Sequence, residues 1–278
     1  MKARTALLAL AAAAALAAAA APPSEINISL KMDNGVYVTG ERVRCVVTVE
    51  NASADTIDAG RPGSPDSLVI ELFRASDREQ FSRTSGRPFT APFALYSGEG
   101  QKLEAFLGDH YAFTRESRYL ARAVLVHAGT RYESALKSFD LVPGMRLAGA
   151  MQMFAQAPGL ERHFEVVFAS RANSEHAFLK IRDSGTHTHR WPTADLGTIL
   201  RMAPPKISVM PSGEVVVLHR ATQDEFIRSV FWSLPDAFEF HEHERMLDPD
   251  VAGAERVKAL YLESGEVKTK RKPWWKVW

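Results

Sequence analysis

One cysteine, Cys45, stands in a chain of 278 residues, so no internal disulfide can staple the fold. A chain of this length buries enough surface to do without one. No cysteine lies near residue 21 either, so an N-terminal lipoprotein is not expected. No serine stands in Gly-x-Ser-x-Gly, and neither a phosphate-binding glycine loop nor a Cys–His zinc signature occurs. Ser64 and Ser212, beside Gly and Pro, read as turn residues. Charge of one sign is also lacking. Lys and Arg number 34 against 33 Asp and Glu, a formal net charge of +1, which gives no global steering and no reason to expect nucleic acid as a partner. After residue 21 no apolar run reaches the ~18 residues of a membrane span, so no transmembrane helix is expected in the mature chain.

What is present begins with an export pattern. Lys2 and Arg4 precede Leu7, Leu8, Leu10 and Leu16 in an alanine run that ends at Pro22-Pro23. Charge, apolar run and small residues in that order predict a secretory signal peptide over residues 1–21, and hence a periplasmic or extracellular protein. The remainder, 46% hydrophobic and 24% charged across the whole chain, has ordinary globular composition.

From Glu25 to about Gly144 apolar residues alternate as half-buried strands require. Ile26, Ile28 and Leu30 share one face; Val43, Cys45, Val47 and Val49 share another, which puts the Cys45 thiol in the core. Asn34-Gly35 predicts a hairpin turn. Further strands are expected at Leu68–Phe73, Leu103–Phe106, Tyr119–His127 and Tyr132–Leu141, with Phe81–Phe93 as a long loop. About seven short strands predict a β-sandwich over residues 24–144. Gly40-Glu41 ahead of Val43–Asn51, with the closing run Tyr119–Gly144, resembles a bacterial immunoglobulin-like module. Such modules act as spacers, adhesive units or inhibitor-like binding domains.

Beyond Pro143-Gly144 the chain repeats itself. Phe164-Glu-Val-Val-Phe-Ala-Ser-Arg-Ala172 aligns with Gly213-Glu-Val-Val-Val-Leu-His-Arg-Ala221, and Pro205–Val215 with Val257–Val267. A period of about 50 residues, with four short strands per unit, is the layout of a propeller blade. Ile181-Arg-Asp-Ser-Gly-Thr-His-Thr-His-Arg-Trp191 resembles a degenerate Asp-box of sialidase-type propeller repeats: Asp183 and Gly185 fit, while Trp191 arrives late. The resemblance implies turns that stabilise blade edges, not catalysis. It spans two and a half blades at most, short of a closed propeller, and lacks the residue set of a sialidase. The expected architecture is therefore all-β: an immunoglobulin-like β-sandwich, then a partial propeller-like β-repeat domain over residues 145–267, then a tail over residues 268–278.

Two sets of residues carry candidate chemistry. His187-Thr-His189 and His241-Glu-His243 fall at similar places in successive repeats, and alternate residues of a strand share a face, so four imidazoles are candidates for zinc or copper. The same pattern suits polar residues on a solvated face, and no other cofactor is expected. Asp183, Asp224 and Glu225 are assigned to turns, where carboxylates cap backbone N–H groups. The tail carries Lys270, Arg271, Lys272, Trp274, Trp275 and Trp278, a basic-aromatic mixture suited to an anionic membrane or polymer. The same tryptophans would also serve to cap the last open β-layer. The favoured expectation is an exported, non-catalytic binding or structural protein of the cell envelope whose partner is an envelope polymer, a membrane surface or a protein. The alternatives are a metal-dependent or glycan-acting envelope enzyme, and a protease-inhibitor-like domain using the Phe81–Phe93 loop.

Overall fold

The computed structural model describes residues 25–185 and 189–248, and every feature below lies among them. The alternating N-terminal segments form two facing sheets. One takes β1 (Ile26–Met32), β3 (Arg44–Asn51) and β7 (Gly100–Phe106) in the order β1-β3-β7. The other orders β2 (Val36–Val38), β10 (Lys137–Val142), β8 (Ser117–His127) and β5 (Ser67–Arg74) as β2-β10-β8-β5, with β9 (Thr130–Glu133) beside β8. A short pair, β4 (Ile57–Ala59) with β6 (Phe93–Leu95), closes one side. The inward faces meet in one core that includes Ile28, Cys45, Val47, Ile70, Leu72, Tyr119 and Phe139. Burial of each such aliphatic side chain is worth about 1.5–3 kcal/mol. Burial also pushes the Cys45 thiol up to about 12, so it stays protonated and hydrogen-bonds the Ala105 carbonyl at 3.6 Å.

Asn34-Gly35 does not make the expected hairpin. β1 pairs with β3, while β2 runs parallel to β10 in the opposite sheet, so Asn34-Gly35 carries the chain across the sandwich. Tyr37 anchors the crossing: it is fully buried, and its hydroxyl accepts the Asn34 N–H at 3.0 Å and donates to the Arg44 carbonyl at 3.0 Å. Tyr132–Leu141, expected as one strand, is broken at Ser134–Leu136 into β9 and β10.

The second half is two four-stranded antiparallel meanders. The first joins β11 (Met145–Met153), β12 (Glu161–Arg171), β13 (Ser174–Ser184) and β14 (Ala194–Thr198); the second joins β15 (Lys206–Val209), β16 (Glu214–Arg220), β17 (Glu225–Leu234) and β18 (Ala237–Leu247). Both follow chain order. The repeated Val-rich segments are the second strands, β12 and β16, of their sheets. Phe164, Val166, Leu179 and Ile181 of one sheet meet Val215, Val217 and Phe231 of the other. The chain is all-β, and no described helix is long and apolar enough to cross a membrane.

Candidate functional site

The two halves meet at a joint of fixed geometry. Between β10 and β11, Gly144 adopts φ +73°, where a Cβ would lie 2.6 Å from Val167 Cγ2, so only glycine lets the strands approach. Val38 and Val142 pack on Val167, Ala169 and Phe178 across the joint. A charged clamp stands beside this contact. Arg171, at the end of β12, donates to both oxygens of Glu41 at 2.7 and 2.6 Å, to Asp195 Oδ2 at 2.7 Å and to the Val36 carbonyl at 3.3 Å. Glu41 also accepts the Val38 N–H at 3.0 Å. Burial raises the Glu41 carboxyl above its ordinary range, a push that the Val38 N–H and Arg171 oppose without cancelling. Thr193 Oγ1 donates to the Thr39 carbonyl at 2.9 Å, and Lys180 Nζ to Thr39 Oγ1 at 2.8 Å. Beside the joint lies an open groove of about 690 Å³, floored by Val36, Leu141, Val142, Phe168 and Ala169, with Asp140 and Ser170 among its polar lining. Asp140 is held by Arg118 at 2.8 and 3.1 Å.

A second cluster lies between the meanders. Arg162 and Asp183 have fully buried side chains, joined through Nε–Oδ1 at 2.7 Å and Nη2–Oδ2 at 3.0 Å. The same guanidinium donates to Ser233 Oγ at 3.0 Å and to the carbonyls of Leu234, Pro235 and Ala237 at 2.8, 3.1 and 3.2 Å. Asp183 thus belongs to β13 and to the core, not to a capping turn as its neighbours implied. Burial pushes its carboxyl up, but the hydrogen bonds from Arg162 and Trp191 prevail and hold it below the usual range. Trp191 Nε1 donates to Asp183 Oδ2 at 2.8 Å, and Arg162 lies 4.5 Å over the Trp191 ring. Gly185 has φ +109°, and a Cβ there would meet the Gly159 carbonyl oxygen at 1.9 Å. Of the residues matched to the Asp-box, Asp183 and Trp191 therefore touch, although Trp191 is displaced in sequence, while Gly185 lies against Gly159.

Of the four histidines, His187 lies outside the described residues, and His189 is exposed with its ring 5.3 Å from Trp191. In β18 the register passes from Val230↔Glu242 to Phe231↔Phe240, so His241 bulges out without a cross-strand partner. His241 then sits against Trp232, whereas His243 hydrogen-bonds Ser229 Oγ at 3.1 Å. Among the described residues no three His, Cys, Asp or Glu side chains form a group able to hold a metal ion. Tail residues Lys270, Arg271, Lys272, Trp274, Trp275 and Trp278, the repeat segment Val257–Val267 and the signal segment 1–21 all lie outside the described residues.

The Phe81–Phe93 loop is pinned at its start by two hydrogen bonds and at its end by the pairing of Phe93 with Ala59. Phe81 N–H donates to the Leu72 carbonyl at 2.9 Å and Thr84 N–H to the His110 carbonyl at 2.8 Å. Phe89 is buried against the His110 ring, centroids 4.1 Å apart, while Arg83, Gly86, Arg87 and Pro88 stay exposed. Burial lowers the His110 pKa below its ordinary value.

The Arg171 clamp escaped the sequence reading, yet a signal for it exists. Arg171 and Arg220 occupy the same place in the repeat, each before an alanine, and Arg220 pairs with Asp248 at 2.6 Å much as Arg171 pairs with Asp195.

No protein-family model matches the chain, and no curated protein matches it. Among solved structures, Spo0M, a sporulation control protein from Bacillus subtilis, is similar at 10% identity and TM-score 0.29, covering 86% of this chain and 97% of that one. A DUF4784 family protein from Bacteroides caccae is similar at 9% identity and TM-score 0.18, covering 79% and 70%. Likeness at that level carries no functional argument.

Proposed function

We propose that the chain is an exported, non-catalytic binding or structural protein of the bacterial cell envelope, in which an immunoglobulin-like sandwich is locked to an incomplete, sialidase-type blade repeat. The observation that carries this reading is the junction. A large apolar groove lies beside a joint held by Val38, Val142 and the Arg171–Glu41–Asp195 clamp. Clefts between packed modules are favoured ligand positions, and a locked joint keeps such a cleft preformed. The Trp191–Asp183 hydrogen bond and the close approach of Gly185 to Gly159 support the blade-repeat part of the reading. The envelope location rests on the pattern of residues 1–21, and the basic-aromatic tail is the proposed second contact.

Sedimentation of the purified protein with isolated cell walls, and separately with anionic vesicles, tests the proposal. Retention that falls on Ser170→Trp, which fills the groove, or on deletion of residues 268–278, supports it. No retention by either material, with the fold intact, refutes it. A second reading, an inhibitor-like role, is favoured only by the pinned Phe81–Phe93 loop. Rapid cleavage at Arg83 or Arg87 by trypsin-like proteases, without inhibition, excludes it.

A further inference from the structure

We infer that Met151, Met153 and His163 form a binding site for a soft monovalent metal ion, Cu(I) in the first instance. The sequence Met-Gln-Met places two thioethers two residues apart on β11, and strand alternation turns both to the same face. That face is open: Met151 is 50% exposed and Met153 70% exposed. Gln152, between them, points the other way and donates to the Ser233 carbonyl in the second meander at 3.4 Å. The β11–β12 register then sets His163 directly opposite Met151 and Glu161 opposite Met153. Directly opposed residues have Cβ atoms about 4.5–5.5 Å apart, and diagonal ones about 7–8 Å, both within reach of unbranched methionine side chains.

The donor set selects the ion. Two thioethers and a neutral imidazole carry no charge, and soft sulfur favours Cu(I) over hard or divalent ions. The His163 ring is already oriented: Nε2 lies 3.2 Å from Ser184 Oγ and 3.7 Å from Glu161 Oε2. With Nε2–H given to Ser184, Nδ1 presents its lone pair, the usual arrangement of a ligating histidine held by a hydrogen bond on its other nitrogen. The Glu161 carboxylate lies on the Nε2 side of the ring, and Arg182 stands opposite His163 on β13. No redox step is involved; a reduced ion binds three neutral donors and leaves unchanged. The site is distinct from the His-x-His pairs and does not depend on the envelope reading.

The test is an anaerobic titration of the full chain with Cu(I) against a chromogenic Cu(I) chelator, paired with NMR of methionine ε-methyl groups during titration with redox-inert Ag(I). The expected result is one equivalent of Cu(I) withdrawn from the chelator, with the Met151 and Met153 methyl signals shifting together. Met151→Leu/Met153→Leu and His163→Gln are each expected to weaken Cu(I) binding by about tenfold or more. Met145→Leu and His241→Ala/His243→Ala are expected to leave it unchanged. The leucines are isosteric at exposed positions, and circular dichroism checks the fold of each variant. No withdrawal of Cu(I), affinity unchanged in the folded double-leucine variant, or methyl shifts confined to other methionines overturns the assignment.

Discussion

Replacing Arg162 by methionine tests how the two meanders are held together. The side chain is fully buried, and its six donated hydrogen bonds end on Asp183, Ser233 and the carbonyls of Leu234, Pro235 and Ala237. Methionine keeps most of the apolar stem but strands the Asp183 carboxylate, which retains only Trp191 Nε1 at 2.8 Å. Removing one partner of a buried pair costs about 3–5 kcal/mol, because the remaining charge has lost its compensation. Asp183→Asn strands the guanidinium and is expected to cost a similar amount. Removing both charges together, as Arg162→Met/Asp183→Leu, leaves no buried charge, so the double variant should lose far less than the sum of the single losses. Urea unfolding at pH 7, followed by tryptophan fluorescence, supplies the free energies. Asp183 is held below its ordinary pKa, so its contribution is present above the unfolded pKa of ~3.9 and is lost as pH falls through the depressed folded value. Acid destabilisation in that window should therefore be shallower in Asp183→Asn. A loss below ~1 kcal/mol for Arg162→Met, or strict additivity in the double variant, would falsify the picture of a strongly coupled buried pair.

Three other outcomes are expected. His219 is buried between the meanders, its Nε2 bonded to the Thr198 carbonyl at 3.2 Å, and burial lowers its pKa to about 4. The unfolded chain takes up that proton first, so stability should fall by up to ~3 kcal/mol as pH drops from ~6.5 towards 4. That slope should flatten in His219→Phe, as read from urea midpoints against pH. The Cys45 thiol, buried and pushed up to about 12, should not react with a thiol reagent in the native protein and should react fully in denaturant. Arg171→Leu strands Glu41 at the joint and should split the calorimetric transition in two and speed proteolysis near Pro143-Gly144; an unchanged single transition counts against the clamp.

The first half was legible wherever burial follows a local period. Alternation over Ile26–Leu30 and Val43–Val49 predicts inward faces and places Cys45 in the core, because a strand's side-chain period is two whatever it pairs with. The repeat likewise gave two units of four strands, with Phe164–Ala172 and Gly213–Ala221 at equivalent places. Pairing partners were not legible. Asn34-Gly35 has hairpin chemistry, yet Tyr37 finds its buried place on the opposite sheet, and a turn motif carries no information about which sheet receives the next strand. The Asp-box resemblance marked Asp183, Gly185 and Trp191, but the role of Asp183 depends on Arg162, 21 positions earlier in sequence and adjacent only across β12 and β13. His241 and His243 show a further limit: a single bulge, invisible in the sequence, gives the two rings different neighbours.

Local residue order is enough to set the all-β character, the buried thiol and the repeated strand pattern. These follow from residue-by-residue alternation and from backbone preferences that act locally. Which charges are committed to partners depends on the fold as a whole. Arg171 and Glu41 stand 130 residues apart, and Met151 meets His163 only through the β11–β12 register. Contacts of that kind are set by chain topology, because a side chain's partner is whatever the fold brings within a few ångströms of it.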